Sequence, residues 1–348
     1  MAHINKAILK EYIDDKLITV QKHPVSDLYI YNYTPLAQFS KAWDEVTMLC
    51  RGLIADGNGR VIAAPFTKFF NYSEYTGELP SLKYVITEKM DGSLGICYPY
   101  KGVLSIATRG SFTSEQAKVG DQMLQEYIKK HGLDWYDEQY TYCFEIIYPE
   151  NRIVVDYGKE RRLVLLAVIN TNDGHEIDPH STGYKDVVTM LPQSTELADL
   201  LAMEQEKNKE GFVIRWANGL RLKLKFEEYV RLHRLVTRVQ AKDVWELLRT
   251  GSDLNEFLDS VPDEFYKWVQ DTVAELKAKY NDLEFASQRT FTEVSKLATR
   301  KEVAADVVMQ NRPIIRAVVF AMLDTKDYKQ IIWKAIKPKY VKPFKEEV

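Results

Sequence analysis

The sequence has little of what marks secreted, membrane-spanning or zinc-binding proteins. Its three cysteines, Cys50, Cys97 and Cys143, have no CxxC spacing, which argues against a disulfide framework or a zinc site and favours a reducing compartment. The longest apolar run, Leu163–Ile169, is far too short to span a bilayer. The N-terminal stretch has no apolar segment typical of a signal peptide. We therefore expect a cytoplasmic protein without membrane contact.

Neither sign of charge dominates the chain. Lysine and arginine number 47, aspartate and glutamate 50, and the net charge is −3, so a nucleic-acid surface would have to be a local patch. Hydrophobic residues make up 45% of the 348 residues, which is enough for ordinary cores. Strand-like patterns give way to helical ones near residue 240. Length and pattern together predict two domains, residues 1–240 and residues 241–348.

The apolar periodicities predict the main elements. The segment 1–28 is interpreted as a short helix and a connector, and Leu28–Tyr33 as an aromatic strand. The other predicted elements are helices over 114–130 and 194–207, a buried strand over 163–169, and several helices after 241.

The first domain is organised around the stretch Lys89-Met90-Asp91-Gly92-Ser93-Leu94-Gly95, which follows an apolar strand-like run. A lysine leaving a buried strand loses water, which favours the neutral, nucleophilic amine. Gly92 lets the backbone bend and approach a ligand closely. The plainer interpretation is an exposed strand-to-turn hairpin.

Three further cations stand next to glycines or aromatic residues. Arg51 precedes Gly52 at the start of an apolar run, so it is either a surface residue or a fork for phosphate. Lys68 is flanked by aromatic residues and could extend over a core edge or present its charge in a pocket. Arg109 precedes a glycine at the end of a predicted strand.

Acidic residues interrupt two predicted strands. Glu145 lies within an otherwise apolar strand, where it needs a partner such as a lysine, a metal or a ribose hydroxyl; a salt bridge on the strand face is the commoner explanation. Glu210 and Gly211 open another strand.

The segment Leu220–Phe226 alternates between apolar and basic residues, with Arg221, Lys223 and Lys225 on one face. Such a face is either an anion cradle or an ordinary solvated strand face.

The order of these pieces resembles that of the covalent nucleotidyltransferases: Lys-x-Asp-Gly, Arg-Gly, a strand glutamate, Glu-Gly, then Lys-x-Lys. The finer similarity is to ATP-dependent RNA ligases of the bacteriophage T4 RNA ligase 1 type, over about residues 31–233. The stretches that carry it, besides Lys89–Leu94, are Tyr31–Tyr33, Cys50–Gly52, Lys68–Asn71, Gly110–Ser111, Ser114–Ala117, Phe144–Glu145, Asn151–Val154, Glu210–Gly211, Lys223, Lys225 and Tyr229. Arg109 stands where the phage type has lysine, and the region after 240 shows little resemblance.

The resemblance implies an α+β fold. Its first domain would be an adenylyltransferase domain, a nucleotidyltransferase of the ATP-grasp-like ligase kind, with antiparallel sheets flanking a nucleotide cleft. An all-helical C-terminal domain for RNA binding or specificity would follow. The implied reaction joins RNA 5′-phosphate and 3′-hydroxyl ends through lysyl-AMP and an adenylylated RNA 5′ end, in RNA repair. A monomer is expected, in the host cytoplasm if phage-encoded.

The resemblance also implies roles for residues. The implied catalytic residues are Lys89 as nucleophile, Lys223 and Lys225 as cations at the α-phosphate, and Glu145 at the ribose or a metal-bound water. Glu210 would make a second metal–water contact, with Mg²⁺ or substituting Mn²⁺. The other implied ATP contacts are Arg51 and Lys68 at the β- and γ-phosphates, Tyr31 and Phe70 near the base, and Gly92, Arg109, Gly211 and Tyr229.

Three alternatives stay open. A DNA ligase or a GTP-using capping enzyme would share the superfamily motifs, but no pattern of an oligonucleotide-binding barrel follows Tyr229. A non-catalytic nucleic-acid-binding relative would have no need to retain Lys89, Glu145, Lys223 and Lys225 together.

Overall fold

A computed structural model describes residues 3–203, 206, 208–227, 229–230, 240–253, 257–258, 266–296, 301–302 and 313–338. The chain divides into two compact units, Met1–Val236 and Thr237–Val348. The first unit combines antiparallel sheets with helices, and the described elements of the second are helices, which confirms the predicted α+β class. The roles assigned to residues 1–240 and 241–348 stay predictions.

The first unit contains three sheets. The first has the strand order β1-β2-β3-β4, the second β11-β10-β9-β7-β8, and the third β5-β13-β12-β6. The strands are β1 Ile18–Lys22, β2 Leu28–Tyr33, β3 Arg51–Asp56, β4 Val61–Ala63, β5 Phe70–Asn71, β6 Tyr84–Lys89, β7 Ser93–Tyr100, β8 Val103–Thr108, β9 Tyr140–Ile147, β10 Arg162–Asn170, β11 Glu176–Ile177, β12 Gly211–Trp216 and β13 Arg221–Lys225. Neighbouring strands pair antiparallel, except that β5 runs parallel to β13.

Side-chain caps begin several of the helices. Ser114, for example, accepts a hydrogen bond from the backbone N–H of Ala117 and so begins the long helix of the first unit. In the part of the chain that the structure describes, the helices are Lys6–Asp14, Pro35–Phe39, Glu45–Leu49, Glu115–His131 and Leu197–Ala202 in the first unit, and Ala241–Thr250, Tyr266–Val294, Pro313–Leu323 and Lys329–Ala335 in the second.

The second sheet is buried on both faces, which explains its apolar strands. On one face the helix Glu115–His131 packs Met123 and Leu124 against the core. On the other face Ile96 packs with Ile54 of the first sheet. This burial accounts for the continuous apolar run of β10 and confirms the predicted buried strand.

Two element predictions were wrong in detail. The segment predicted as a connector contains β1, an edge strand in which only Ile18 is buried; its apolar alternation is limited to Ile18 and Val20, too short to indicate a strand. The helix predicted over 194–207 spans only Leu197–Ala202, because Met203 is in an extended conformation. Residues 204, 205 and 207 of that prediction lie outside the described residues.

The second unit has an apolar core of its own, in which Val294 packs with Ile315 and Val319. The indole N–H of Trp245 donates to the carbonyl of Trp333, whose ring lies 4.9 Å from that of Tyr280. Among the residues that the structure describes, no helix has the length and apolar character needed to cross a membrane.

Candidate active site

A cleft of about 800 Å³ lies in the first unit between the second and third sheets. Its lining includes the backbone around Lys89 and side chains from both sheets. Five of the residues predicted from the sequence line it, namely Arg51, Lys89, Gly92, Arg109 and Glu145.

Strand register places the cationic side chains of the third sheet in rows across one face. Lys89, Gly211 and Lys225 are direct partners on β6, β12 and β13. Two residues further along each strand, Thr87, Val213 and Lys223 form the next row, and the third row is Val85, Arg215 and Arg221. Because alternate residues point to the same face, the predicted cation face of β13 is the face that carries Lys89.

Lys89 and Lys225 share one buried carboxylate. Nζ of Lys89 lies 2.8 Å from Oε2 of Glu210, and Nζ of Lys225 lies 2.6 Å from Oε1 of the same residue. Glu210 is only 2% exposed. Burial alone would raise the pKa of Glu210, but the two ammonium groups outweigh burial and hold that pKa below its ordinary value. Glu210 therefore stays anionic and holds the two lysines side by side.

Two glycines allow this close arrangement. Gly211 has φ of +140°, and a Cβ there would lie 2.0 Å from the carbonyl oxygen of Leu224. A Cβ on Gly92 would lie 2.6 Å from the carbonyl oxygen of Ile146 and 3.2 Å from Cγ of Glu145. Any larger residue at either position would push apart the backbones that bring Lys89, Glu145 and Lys225 together.

Asp91 links the lysine motif to two distant segments. Its Oδ2 accepts hydrogen bonds from the backbone N–H groups of Val154 and Val155, at 2.8 and 2.7 Å. Its Oδ1 accepts one from the hydroxyl of Tyr229 at 2.8 Å, and the Tyr229 ring lies 5.0 Å from Nζ of Lys225. Asp91 is 3% exposed, so it fixes the turn after Lys89 from within the protein.

Glu145 faces the cleft from β9. Its Oε1 accepts a hydrogen bond from the backbone N–H of Gly92 at 2.9 Å. Burial raises the pKa of Glu145 to about 8, and the nearby Glu210 and Asp91 act in the same direction, while Lys89 and the Gly92 N–H oppose them. Glu145 is therefore largely protonated near neutral pH in the absence of ligand.

The remaining predicted cations lie against aromatic rings. Nζ of Lys68 lies 5.4 Å from the Tyr33 ring and 5.1 Å from the Trp43 ring. Arg109 donates from Nη1 to the Tyr33 hydroxyl at 3.1 Å. The guanidinium of Arg51 stands over Phe66 and Phe69, 4.9 and 5.4 Å from their centroids. Aromatic faces attract a cation without cancelling its charge, so these rings position the cations and leave them charged.

Two aromatic residues expected near the base lie elsewhere. Tyr31 is 6% exposed and packs in the core between the first helix and the first sheet, with Leu9 and Leu53. Phe70 packs its ring on Trp43, 5.7 Å away, and it is Phe69 that lines the cleft. This arrangement does not support the expected contacts of Tyr31 and Phe70 with a base. The local sequence could not show which of the neighbouring aromatic rings would pack in the core.

Other residues of the cleft were not singled out from the sequence. Phe66 and Glu176 line it, as does Arg215. Arg221 stood out only as part of the alternating strand. Glu176 lies 45 positions from Arg221, its ion-pair partner, so no local pattern links them.

The stretch 49–230 matches the sequence profile of the family described as RNA ligase. This chain belongs to the RNA ligase family. The match covers just over half of the chain and includes Arg51, Lys89, Glu145, Glu210 and Lys225.

Two relatives of this RNA ligase family member have similar sequence identity to it but differ in the share of their own length that it covers. An RNA ligase of Rhodothermus phage RM378 is 24% identical over 372 residues, covering 82% of this chain and 80% of the relative. A proposed bifunctional polynucleotide kinase/RNA ligase of Autographa californica nuclear polyhedrosis virus is 25% identical over 302 residues, covering 75% of this chain. The match spans only 42% of that viral protein's length.

Solved structures of ligases are more distant. A mutant of the Naegleria gruberi RNA ligase with ATP and Mn is 16% identical, with a TM-score of 0.36, over 44% of this chain and 52% of that one. A proposed ATP-dependent DNA ligase from Aquifex aeolicus is 15% identical, with a TM-score of 0.48, over 77% and 71% of the two chains.

The acidic residues of the RNA ligase site suit a hydrated divalent cation. Within the described ranges, no group of three or more His, Cys, Asp or Glu side chains forms a metal cage. Glu145 and Glu210 are close enough to interact electrostatically. Mg²⁺ typically binds through one or two carboxylates, water and substrate phosphates. Glu145, which lines the cleft, therefore fits a metal ion that arrives with a nucleotide, whereas Glu210 is buried against Lys89 and Lys225 and would contact such an ion through water.

We expect the stability of the ligand-free protein to fall more steeply with pH than that of the Glu145→Gln variant. A carboxyl whose pKa is raised from 4.5 to about 8 on folding contributes stability fully below pH 4.5 and loses it as pH rises through 8. At about 1.4 kcal/mol per pKa unit, the difference amounts to a few kcal/mol. Urea unfolding from pH 5 to 9 measures how the free energy of unfolding of the parent and of Glu145→Gln changes with pH. The exposed Glu138→Gln change is the control, and parallel curves for parent and Glu145→Gln would show that folding does not raise the pKa of Glu145.

Proposed function

We propose that this protein is an ATP-dependent RNA ligase that works through lysyl-AMP. The observation that carries the proposal is the pairing of Lys89 with Lys225 on the buried Glu210, with Lys89 lining a cleft in the part of the chain that matches the RNA ligase family. A lysine that opens onto a cleft beside further cations suits attack on a phosphate, because those cations stabilise the charge that develops on its oxygens.

The first step transfers AMP to Lys89. The ion pair between Lys89 and Glu210 opens and the ammonium releases its proton to solvent. Nζ then attacks the α-phosphorus of ATP; an N–P bond forms, the bond to the β-phosphate oxygen breaks, and pyrophosphate leaves. Lys223 and Lys225 stabilise the negative charge on the α-phosphate oxygens. Mg²⁺, or Mn²⁺ in its place, would be held through Glu145 and Glu210 and supply further positive charge to the phosphates.

Two further transfers seal the RNA. A 5′-phosphate oxygen of one RNA end attacks the phosphorus of lysyl-AMP, which breaks the N–P bond and forms a 5′-to-5′ pyrophosphate linkage. The 3′-hydroxyl of the other end then attacks the RNA 5′-phosphorus, forms the phosphodiester bond and expels AMP. Neither step needs the polyphosphate of ATP. We propose RNA repair as the setting for this reaction.

An end-joining assay tests the proposed function. A labelled RNA with a 5′-phosphate is incubated with the protein, Mg²⁺ and either ATP or GTP, and a DNA strand of the same sequence is tested in parallel. The proposal expects joined or circular RNA with ATP. Joining of DNA alone would instead indicate a DNA ligase, and a covalent protein–nucleotide adduct formed only with GTP would indicate a capping enzyme.

For the second unit we propose a role in holding RNA through phosphate contacts. The motif set ends before residue 230, and the second unit has its own core. Its lysine-rich end supports the role from sequence: Lys334 and Lys337 are described, and Lys337 lies 5.1 Å from the Trp245 ring. Lys339, Lys342 and Lys345 lie outside the described residues.

A chain ending at Gln240 is expected to keep lysyl-AMP formation and to join RNA roughly tenfold less efficiently, with a weaker dependence on salt, because phosphate contacts are lost. The two activities are measured separately across a salt series, with the full chain as reference. Unchanged joining at every salt concentration would contradict the RNA-holding role. Loss of lysyl-AMP in a folded fragment would place residues needed for that step beyond 240.

A further inference from the structure

One end of the cleft contains a cluster of arginines and rings that the proposed steps have not used in full. The guanidinium of Arg221 lies 4.8 Å from the centroid of Phe66 and 5.8 Å from that of Phe69. These are the same two rings on which Arg51 lies. The rings themselves meet edge to face, 5.6 Å apart. Two guanidinium groups thus lie against the same pair of rings.

A single carboxylate keeps Arg221 in place. Oε2 of Glu176 accepts a hydrogen bond from Nη2 of Arg221 at 2.6 Å, and its Oε1 lies 3.3 Å from Nε of Arg215. Glu176 is 11% exposed and Arg221 13% exposed. The arginines that line this part of the cleft, Arg51, Arg215 and Arg221, outnumber the carboxylates of Glu176 and Asp178. Such an enclosed set of arginines is suited to a ligand with several negative charges.

The position of the cluster relative to Lys89 indicates which ligand that is. Arg221 is on the same face of β13 as Lys223 and Lys225, four residues or roughly 13 Å along the strand from Lys225. Long arginine and lysine side chains can converge from these positions on one extended anion. ATP is such an anion. With its α-phosphate at Lys89, its β- and γ-phosphates extend beyond Lys89 and Lys225.

We propose that Arg221, paired with Arg51, binds the β- and γ-phosphates of ATP and the pyrophosphate that leaves. This inference rests on the proposed function and adds Arg221 to the residues that contact the substrate. Two guanidinium groups that share one pair of rings suit the closely spaced charges of a di- or triphosphate better than the single, spaced charges of an RNA backbone. Arg215 differs from Arg221, because its described contact is with Glu176 and not with the two rings.

The test compares steps that involve pyrophosphate with one that does not. Arg221→Ala should slow lysyl-AMP formation at low ATP by about 10- to 100-fold, and should slow the pyrophosphate-driven release of ATP from adenylylated protein by a similar factor. Sealing of a pre-adenylylated RNA should stay within about twofold. Arg221→Lys, which keeps the charge but loses the planar fork, should recover part of the loss.

Arg161→Ala is the matched control, because Arg161 also stands over an aromatic ring, 5.9 Å from the Tyr148 centroid, but does not line the cleft. We expect its apparent KM values for ATP and pyrophosphate to stay within about threefold of the parent. If Arg221→Ala slows sealing as much as lysyl-AMP formation, the cluster binds RNA or only supports the fold, and the inference is wrong. It is equally wrong if no step changes. Failure of the unsubstituted protein to form lysyl-AMP is a separate result, which overturns the proposed function itself.

Discussion

Replacing Lys89 with alanine is expected to abolish lysyl-AMP formation, by at least about a thousandfold, because loss of a covalent nucleophile removes the step itself. The cleft would keep Lys225 on Glu210, so the nucleotide site should remain charged and folded. Sealing of an RNA that already carries the 5′-adenylate should persist, since that step uses the 3′-hydroxyl as nucleophile. The two reactions are measured side by side on the same preparation.

Lys209→Ala provides the control for the Lys89 experiment. Lys209 neighbours Glu210 in sequence, but it pairs with Glu206 at 2.8 Å and does not line the cleft. Its loss should leave both reactions close to the parent. Normal lysyl-AMP formation by the Lys89→Ala variant would remove the nucleophile assignment, and loss of both reactions would indicate that Lys89 supports the fold.

Asp91→Ala is expected to destabilise the first unit by about 3–5 kcal/mol. The change leaves three donors without their acceptor, namely the part-buried N–H of Val154, the buried N–H of Val155 and the buried hydroxyl of Tyr229. Each such donor costs about 1–3 kcal/mol. Lysyl-AMP formation should fall as well, because Asp91 fixes both the turn after Lys89 and the ring beside Lys225.

Urea unfolding at neutral pH measures the effect of Asp91, with Tyr229→Phe as the graded comparison. That variant removes one of the three hydrogen bonds and keeps the ring, so a loss of about 1 kcal/mol is expected. Asp91→Asn retains one acceptor oxygen and should fall between the two. If Asp91→Ala is no less stable than Tyr229→Phe, the backbone contacts to Val154 and Val155 do not contribute as described.

The sequence predicted those parts of the site that depend on local pattern. The alternation of β13 follows from a period of two, and strand pairing then fixes that Lys225 lies beside Gly211 and Lys89. The buried strand β10 was equally visible, because its apolar run is continuous. Both features can be interpreted from neighbouring residues in the sequence alone.

The parts that escaped prediction depend on contacts between distant segments. Asp91 and Val154 are 63 positions apart, and nothing local in the sequence assigns one to the other. Tyr31 belongs to an aromatic strand whose residues look alike in sequence, and only the packing of the first helix decides that Tyr31 is buried in the core. The role proposed for Arg221 differs from that of Lys223 and Lys225 because Arg221 lies against Phe66 and Phe69. Those two rings come from a distant segment, so the strand pattern alone could not indicate the difference.

The most direct measurement is the transfer of label from ATP to the protein, followed by location of the labelled residue. The protein is incubated with Mg²⁺ and ATP labelled at the α-phosphate, and in parallel with ATP labelled at the γ-phosphate, then separated on a denaturing gel and digested. The account predicts label from the α-position only, in an acid-labile phosphoramide on the peptide that contains Lys89, and its removal on addition of pyrophosphate. Absence of label from the α-position, or its attachment to any residue other than Lys89, would contradict the account.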